Sequence, residues 1–229
     1  MRNVDGRLIY ETLSELVGSE HTALLLIDMQ NDFCSSGGTF ALNGYDVSMY
    51  DAMVPRVERL LRAARNTNVL RIFIQNTTLA GHLSDSPAQV RFRMRLSRDP
   101  DAVSLRYTDD DTWGQEFVPA LAPETGEPVL KKYRSSAFVG TPLDLLLRSN
   151  GIDTILVCGC TTEGCVESTA RDGMFMDYYV VVVADCIESD TREQHEASLT
   201  LMRSRFDMFP STEIIASWNA PAEQGAVGK

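Results

Sequence analysis

Lysine is almost missing from this 229-residue chain: three are present, Lys131, Lys132 and Lys229, and every other basic side chain is arginine. Two adjacent lysines in so lysine-poor a sequence stand out as candidates for chemistry. Histidine is as scarce, and His21, His82 and His195 lie far apart. Without an Asp-x-His or His-x-x-x-His spacing a zinc centre is unsupported, although carboxylates and cysteines from distant segments could still assemble one. No metal and no cofactor is expected. The five cysteines form no Cys-x-x-Cys pair. No apolar run approaches the ~20 residues of a membrane span, and the first residues carry charge where an export signal needs an apolar core. A cytoplasmic protein without a membrane partner is expected, its cysteines reduced thiols. Positive charge is also in deficit: the net charge of −11 argues against a nucleic-acid partner, which requires a basic surface.

What is present is ordinary for a globular chain, 44% hydrophobic and 23% charged residues, with length enough for one sizeable core. Residues 1–21 read as a peripheral arm with a weak helical pattern at 8–17. TALLLID at 22–28 is a continuous apolar run ending in an acid, the mark of a buried parallel strand. A Gly/Ser/Asn-rich loop is expected at 30–45. An amphipathic helix follows at 52–65, Pro55 tolerable in its first turn, and then a second strand at 69–76. Residues 77–127 are an irregular insertion holding Arg91, Arg93, Arg95 and Arg98, with a short helix expected at 113–121. Connections this long in compact domains are usually lids or oligomer contacts. The arginines suit an anionic group, a solvated face or intersubunit ion pairs.

A short strand at 128–130 delivers Lys131 and Lys132. A helix at 141–150 carries Thr141 as its cap, Pro142 at its first position and Gly151 as its stop. A strand at 155–157, a Gly/Cys/Thr loop, a helix opening at Cys165, a strand at 179–184, a helix at 189–206 and a last strand at 213–216 complete the chain. A C-terminal tail is expected at 218–229, with AEQGAVGK at 222–229 disordered. Strands alternating with helices predict an α/β fold: a doubly wound three-layer α/β/α domain over 22–217 with a six-stranded, mostly parallel sheet.

Ligands of such sheets bind beyond the carboxyl ends of the strands, where Asp28, Lys132 and Cys165 would meet. Each has a bland alternative: Asp28 a loop-capping carboxylate, Lys132 a surface charge, Cys165 a small buried hydrophobe. Together they make chemical sense. A carboxylate held out of water accepts a thiol proton, and an ammonium stabilises the thiolate, whose pKa should fall. No histidine is required, His195 being the one competitor as a base.

The segments IDMQNDF, KYRSSAFVGTPL and GCTTEGCVESTARDG resemble those of the isochorismatase-like cysteine hydrolase superfamily, a similarity that spans residues 20–217. The resemblance implies an Asp-Lys-Cys catalytic triad, which falls on Asp28, Lys132 and Cys165. Lys132, not Lys131, stands six residues before Phe138 of the motif. It further implies a cis peptide between Cys160 and Thr161, so that the N–H groups of Thr161 and Cys165 form an oxyanion hole. The expected reaction is hydrolysis of a small amide through a thioester, by a homo-oligomer (dimer or tetramer). Nicotinamidases in the superfamily carry an Asp-x-His that is missing around His82, and true isochorismatases do not need the cysteine. CVESTARDGMFMDYYVVVVAD and KYRSSAFVGTPLDLLLRS resemble the ureidoacrylate amidohydrolases and relatives that cleave N-carbamoyl compounds and biuret-like ureas. Candidate substrate contacts are Phe33, Asn76, Arg134, Phe138 and Glu163. Arg134 suits a substrate carboxylate or a structural ion pair, and Asn76 a ureido group or a turn cap. A small-amide hydrolase of other specificity, a nicotinamidase-like enzyme included, an idle binding module and a redox-sensing thiol protein are the competing readings.

Overall fold

The apolar runs at 22–27, 70–76, 154–160 and 179–188 become strands of one sheet. The computed structural model describes residues 1–99 and 105–220. The chain opens with an antiparallel hairpin, β1 (Arg2–Val4) and β2 (Arg7–Ile9), turned at Asp5 and Gly6, both at positive φ. Asp-Gly is the two-residue hairpin signal, and it overrides the weak helical pattern expected there. Only α1 (Leu13–Leu16) is helical, closed by a capping box of Thr12 and Glu15. There follow β3 (Thr22–Ile27), the one-turn helices α2 (Asn31–Cys34) and α3 (Thr39–Leu42), α4 (Ser48–Asn66), β4 (Leu70–Asn76), α5 (Pro87–Leu96) and β5 (Val129–Lys132). Then come α6 (Leu143–Ser149), β6 (Thr154–Cys160), α7 (Glu167–Phe175), β7 (Tyr179–Glu188), α8 (Arg192–Met202), β8 (Asp207–Phe209) and α9 (Ser211–Asn219).

Several expectations are corrected. The loop at 30–45 contains the two short helices. α4 starts four residues early, so Pro55 lies inside it. Residues 113–121 form only a 3₁₀ turn at Pro119–Leu121. The helix of the insertion is α5 instead, with Pro87 in its first turn and the Ser86 hydroxyl accepting the Gln89 N–H at 3.2 Å. The apolar run at 213–216 is not a strand but part of α9, whose first N–H and hydroxyl, on Ser211, donate to the Asp185 carboxylate at 2.6 and 2.7 Å. The last strand is β8. The tail expected at 218–229 begins inside α9, and the expectation of disorder at 222–229 lies outside the described residues.

The sheet order is β5-β4-β3-β6-β7-β8, every neighbour parallel. Alternation along β3 sends Leu24 and Leu26 to a layer that contains α4 and α9. Ala23, Leu25 and Ile27 face α6, α7 and α8, which completes three layers. The chain winds outward from β3 to β5, then crosses back to β6 on the other side of β3. The topological switch point is therefore the crevice beyond the carboxyl ends of β3 and β6. Gly159 keeps these strands close: it sits at φ +120°, and a Cβ there would lie 2.0 Å from the Ile27 carbonyl oxygen. The β6–β7 register shifts at the same place. Among the described residues no helix is long and apolar enough to cross a membrane.

Candidate active site

Asp28 is the first residue after β3, in the left-handed region at φ +53°. Its N–H donates to Ile74 O at 3.0 Å while its own carbonyl accepts from Gln30 N–H at 2.7 Å, so the chain turns sharply and leaves the carboxylate at the switch point. Oδ1 accepts the Asn76 N–H at 3.1 Å, and Oδ2 is paired with Lys132 Nζ at 2.7 Å. Lys132 ends β5, opposite Asn76. Its ammonium also donates to Arg134 O at 3.0 Å and to Cys165 Sγ at 3.2 Å. The ammonium thus makes two hydrogen bonds and one ion pair, all of them inside the protein. Asp28 and Lys132 are 1% and 0% exposed, whereas Cys165 borders a cavity of about 620 Å³.

Cys165 lies within a π turn, Thr162–Val166, that precedes α7. The Cys160–Thr161 peptide is cis. Gly164 and Val166 donate their N–H groups to Thr161 O, each at 3.2 Å, and no backbone hydrogen bond among the described residues takes up the Thr161 N–H.

The electrostatics depart from expectation in one respect. Burial raises the Asp28 pKa against the opposing pull of Lys132. For Lys132 burial works downward, but Asp28 and Cys165 outweigh it and the ammonium is stabilised. The Cys165 thiol, expected to fall, is pushed up to about 12, first by burial and then by Asp28, with Lys132 opposing. The reason is a charge count: one cation cannot offset two anions in a dry site. Burial thus favours the neutral thiol of Cys165 beside the Lys132 ammonium.

The other candidates divide. Phe33 is part of an aromatic wall, its ring centroid 5.0 Å from Phe40 and 5.4 Å from Tyr107. Asn76 borders the cavity with its amide oxygen accepting from Thr108 Oγ1 at 3.0 Å. Arg134 borders it too, while Nη1 donates to Ser84 O at 3.1 Å and Tyr133 O at 2.5 Å. Glu163 contributes an Oε2 that is buried and has no hydrogen-bond partner among the described residues. Phe138 is the exception. It packs on Tyr178, centroids 5.9 Å apart, inside the layer of α6 and α7, and does not reach the cavity.

Of the insertion's arginines, Arg93 is buried and tied to Asp85 and Thr78, while Arg95 and Arg98 border the cavity. Arg98 lies 3.5 Å over the Tyr45 ring. Not foreseen were Phe92 and Gln89 of α5 and Asp190 before α8. Asp190 is buried, and its carboxyl is raised to about 6, chiefly by that burial. The Ser-Pro cap at 86–87 was the one available sign of α5. No group of three or more His, Cys, Asp or Glu capable of holding a metal occurs among the described residues.

Comparison with known proteins adds the family. Residues 22–214 match the isochorismatase domain. The ureidoacrylate amidohydrolase RutB of Enterobacter sp. is 36% identical over 171 residues, 72% of this chain and 74% of the relative. An isochorismatase family protein from Desulfovibrio vulgaris has a similar crystal structure, with a TM-score of 0.71 and 32% identity over 85% of this chain and 96% of the other. A cysteine hydrolase from Pseudomonas syringae gives a TM-score of 0.76 at 27% identity, over 89% and 94%.

Proposed function

The chain belongs to the isochorismatase family and is, like its curated relatives, a hydrolase acting on carbon–nitrogen bonds; on that premise we propose that Cys165 is its nucleophile, Asp28 its general acid–base and Lys132 the cation that holds both. The observation that carries this reading is the single ammonium ion-paired with the carboxylate and hydrogen-bonded to the sulfur, both of which border the cavity.

The high thiol pKa gives the first step its order. The proton leaves Sγ for Asp28 as sulfur attacks the amide or carbamoyl carbon, so a free thiolate never accumulates. Asp28 suits the task because burial has raised its affinity for a proton. Lys132 holds the sulfur's developing charge. The oxyanion is received by the N–H groups of Thr161 and Cys165, fixed donors that need no reorganisation. Asp28 then protonates the departing nitrogen, and the thioester remains. Water deprotonated by Asp28 attacks the thioester carbon, the C–S bond breaks to release the acid, and the proton passes from Asp28 to sulfur to restore the thiol.

A ureido or N-carbamoyl substrate, ureidoacrylate-like or biuret-like, suits the cavity. Such a group presents several N–H donors, and Glu163 Oε2 is a buried acceptor without a partner among the described residues. Arg95, Arg98 and Arg134 at the cavity suit a carboxylate at the substrate's other end. The aromatic wall of Phe33, Phe40 and Tyr107 covers the planar middle. α5, on the insertion, selects among such substrates because Gln89, Phe92 and Arg95 line the cavity. The test is an ammonia-release screen over ureidoacrylate, biuret, N-carbamoyl amino acids, nicotinamide and maleamate. Turnover of a ureido or carbamoyl compound is expected, with at least about a 10³-fold loss in Cys165→Ala, within the cost of removing a nucleophile, and an unchanged melting profile. Silence across the screen, or an active Cys165→Ala, would sink the reading.

A further inference from the structure

Behind the turn that carries Cys165 lies a buried polar chain that the mechanism above does not use. Thr162, the residue after Thr161, has no exposed surface, and its hydroxyl is 2.8 Å from His195 Nδ1 on α8. The same nitrogen is 3.4 Å from Glu188 Oε1. The 2.8 Å contact is the hydrogen bond, and the negative carboxylate beside Nδ1 favours the tautomer that carries its hydrogen there and donates it to the Thr162 hydroxyl. Glu188 is the last residue of β7 and pairs in register with Cys160 on β6. Its Oε1 also accepts the Ser189 N–H at 3.3 Å. The chain Glu188–His195–Thr162 therefore ties a strand end and a helix to the first residue of the π turn, one position from Thr161 and three from Cys165. His195 is 5% exposed and is not among the residues bordering the cavity, so contact with substrate is not its role. A buried imidazole between a carboxylate and a hydroxyl is a costly core unless the geometry it holds is needed.

We propose that His195 is a positioning residue: through the Thr162 hydroxyl it holds the π turn so that the Thr161 and Cys165 N–H groups point at one oxygen. This rests on the thioester reading above. It predicts an effect on steps that build a tetrahedral oxyanion and none on the reactivity of the sulfur itself. Alkylation of Cys165 by iodoacetamide displaces iodide at a saturated carbon and forms no oxyanion, so it separates the two.

The experiment compares His195→Ala, His195→Asn and Thr162→Val with the wild-type chain. It reads kcat and KM on a substrate found by the screen, and the Cys165 alkylation rate by peptide mass spectrometry. In His195→Ala and Thr162→Val, kcat should fall about 10- to 100-fold, below the 10²–10³ of a deleted oxyanion donor because the N–H groups remain. KM and the alkylation rate should stay within about threefold. Asparagine places an N–H near the position of Nδ1, and His195→Asn should recover most of the loss. Where His195→Ala fails to fold, Thr162→Val, which keeps the side-chain volume, carries the test. An unchanged kcat in Thr162→Val, alkylation falling in step with kcat, or no recovery by asparagine would each overturn the assignment. Those outcomes leave Cys165-dependent turnover intact, whereas an active Cys165→Ala or a silent screen would remove the thioester reading and this proposal with it.

Discussion

Lys132 is fully buried and every partner recorded for its ammonium lies inside the protein, so those partners depend on its charge. Removing one member of a fully buried ion pair leaves the other uncompensated, at a cost of about 3–5 kcal/mol, whereas replacing both can be close to neutral. Lys132→Met should lose stability of that order in urea unfolding as well as all ammonia release. The double variant Asp28→Asn/Lys132→Met should recover most of the stability and none of the activity. A double variant no more stable than Lys132→Met would contradict the pairing seen at 2.7 Å. Phe138 teaches the opposite lesson at the same scale. Its neighbours in the motif reach the cavity, but its ring turns into the layer of α6 and α7, where it stacks on Tyr178.

Among the elements, the carboxyl end of β6 is the most constrained. Gly159 must approach Ile27 O more closely than any side chain permits, and its φ of +120° belongs to glycine. Because the obstructing atom is backbone, no rotamer change relieves it. Gly159→Ala should destabilise by at least about 3 kcal/mol, in the range of the severe strain and packing defects, and should lower kcat by moving β6 away from Asp28. Thermal unfolding alongside turnover checks both; a variant with wild-type values of each would refute the close approach. α5 shows why an element can be real and still hard to read. Its buried side chain is Arg93, while Phe92 and Met94 are 40% and 49% exposed, so apolar periodicity has nothing to report.

For the molecule as a whole, the outer edge of the sheet is joined to the helical layer by Glu127. Its carboxylate pairs with Arg65 of α4 at 2.7 Å and Arg71 of β4 at 2.9 Å, and accepts the Glu124 N–H at 2.8 Å. Burial pushes its pKa up, but Arg65, the Glu124 N–H and Arg71 outweigh that and hold it down at about 2. A folded-state value below the ordinary ~4.3 means stability that is fully present above that value and is lost as pH falls toward 2. Glu127→Gln should therefore cost roughly 1–3 kcal/mol at neutral pH and should differ much less from the wild-type chain near pH 2. Unfolding free energies at the two pH values check the sign; an equal deficit at both would show that the loss is packing and not charge.

The sequence by itself determined the order of β3, β4, β5, β6 and β7 and of α4, α6, α7 and α8, because parallel strands buried on both faces leave continuous apolar runs. It also determined the chemical types at the strand ends, Asp28, Lys132 and Cys165, and the segments that mark the family. Short elements escaped it where a local signal opposed the apolar pattern: Asp5-Gly6 made a hairpin of the arm, and the Asp185 carboxylate turned the run at 213–216 into α9. Only the tertiary structure decided which partners the three residues meet, since their separations depend on the strand order 5-4-3-6-7-8 and on the close approach at Gly159. It alone decided the protonation of Cys165, because desolvation is a property of the assembled site and outweighs the nearby cation. For the same reason Asp190, Glu188 and His195 took on meaning only when folding buried them beside the turn that the sequence had already marked.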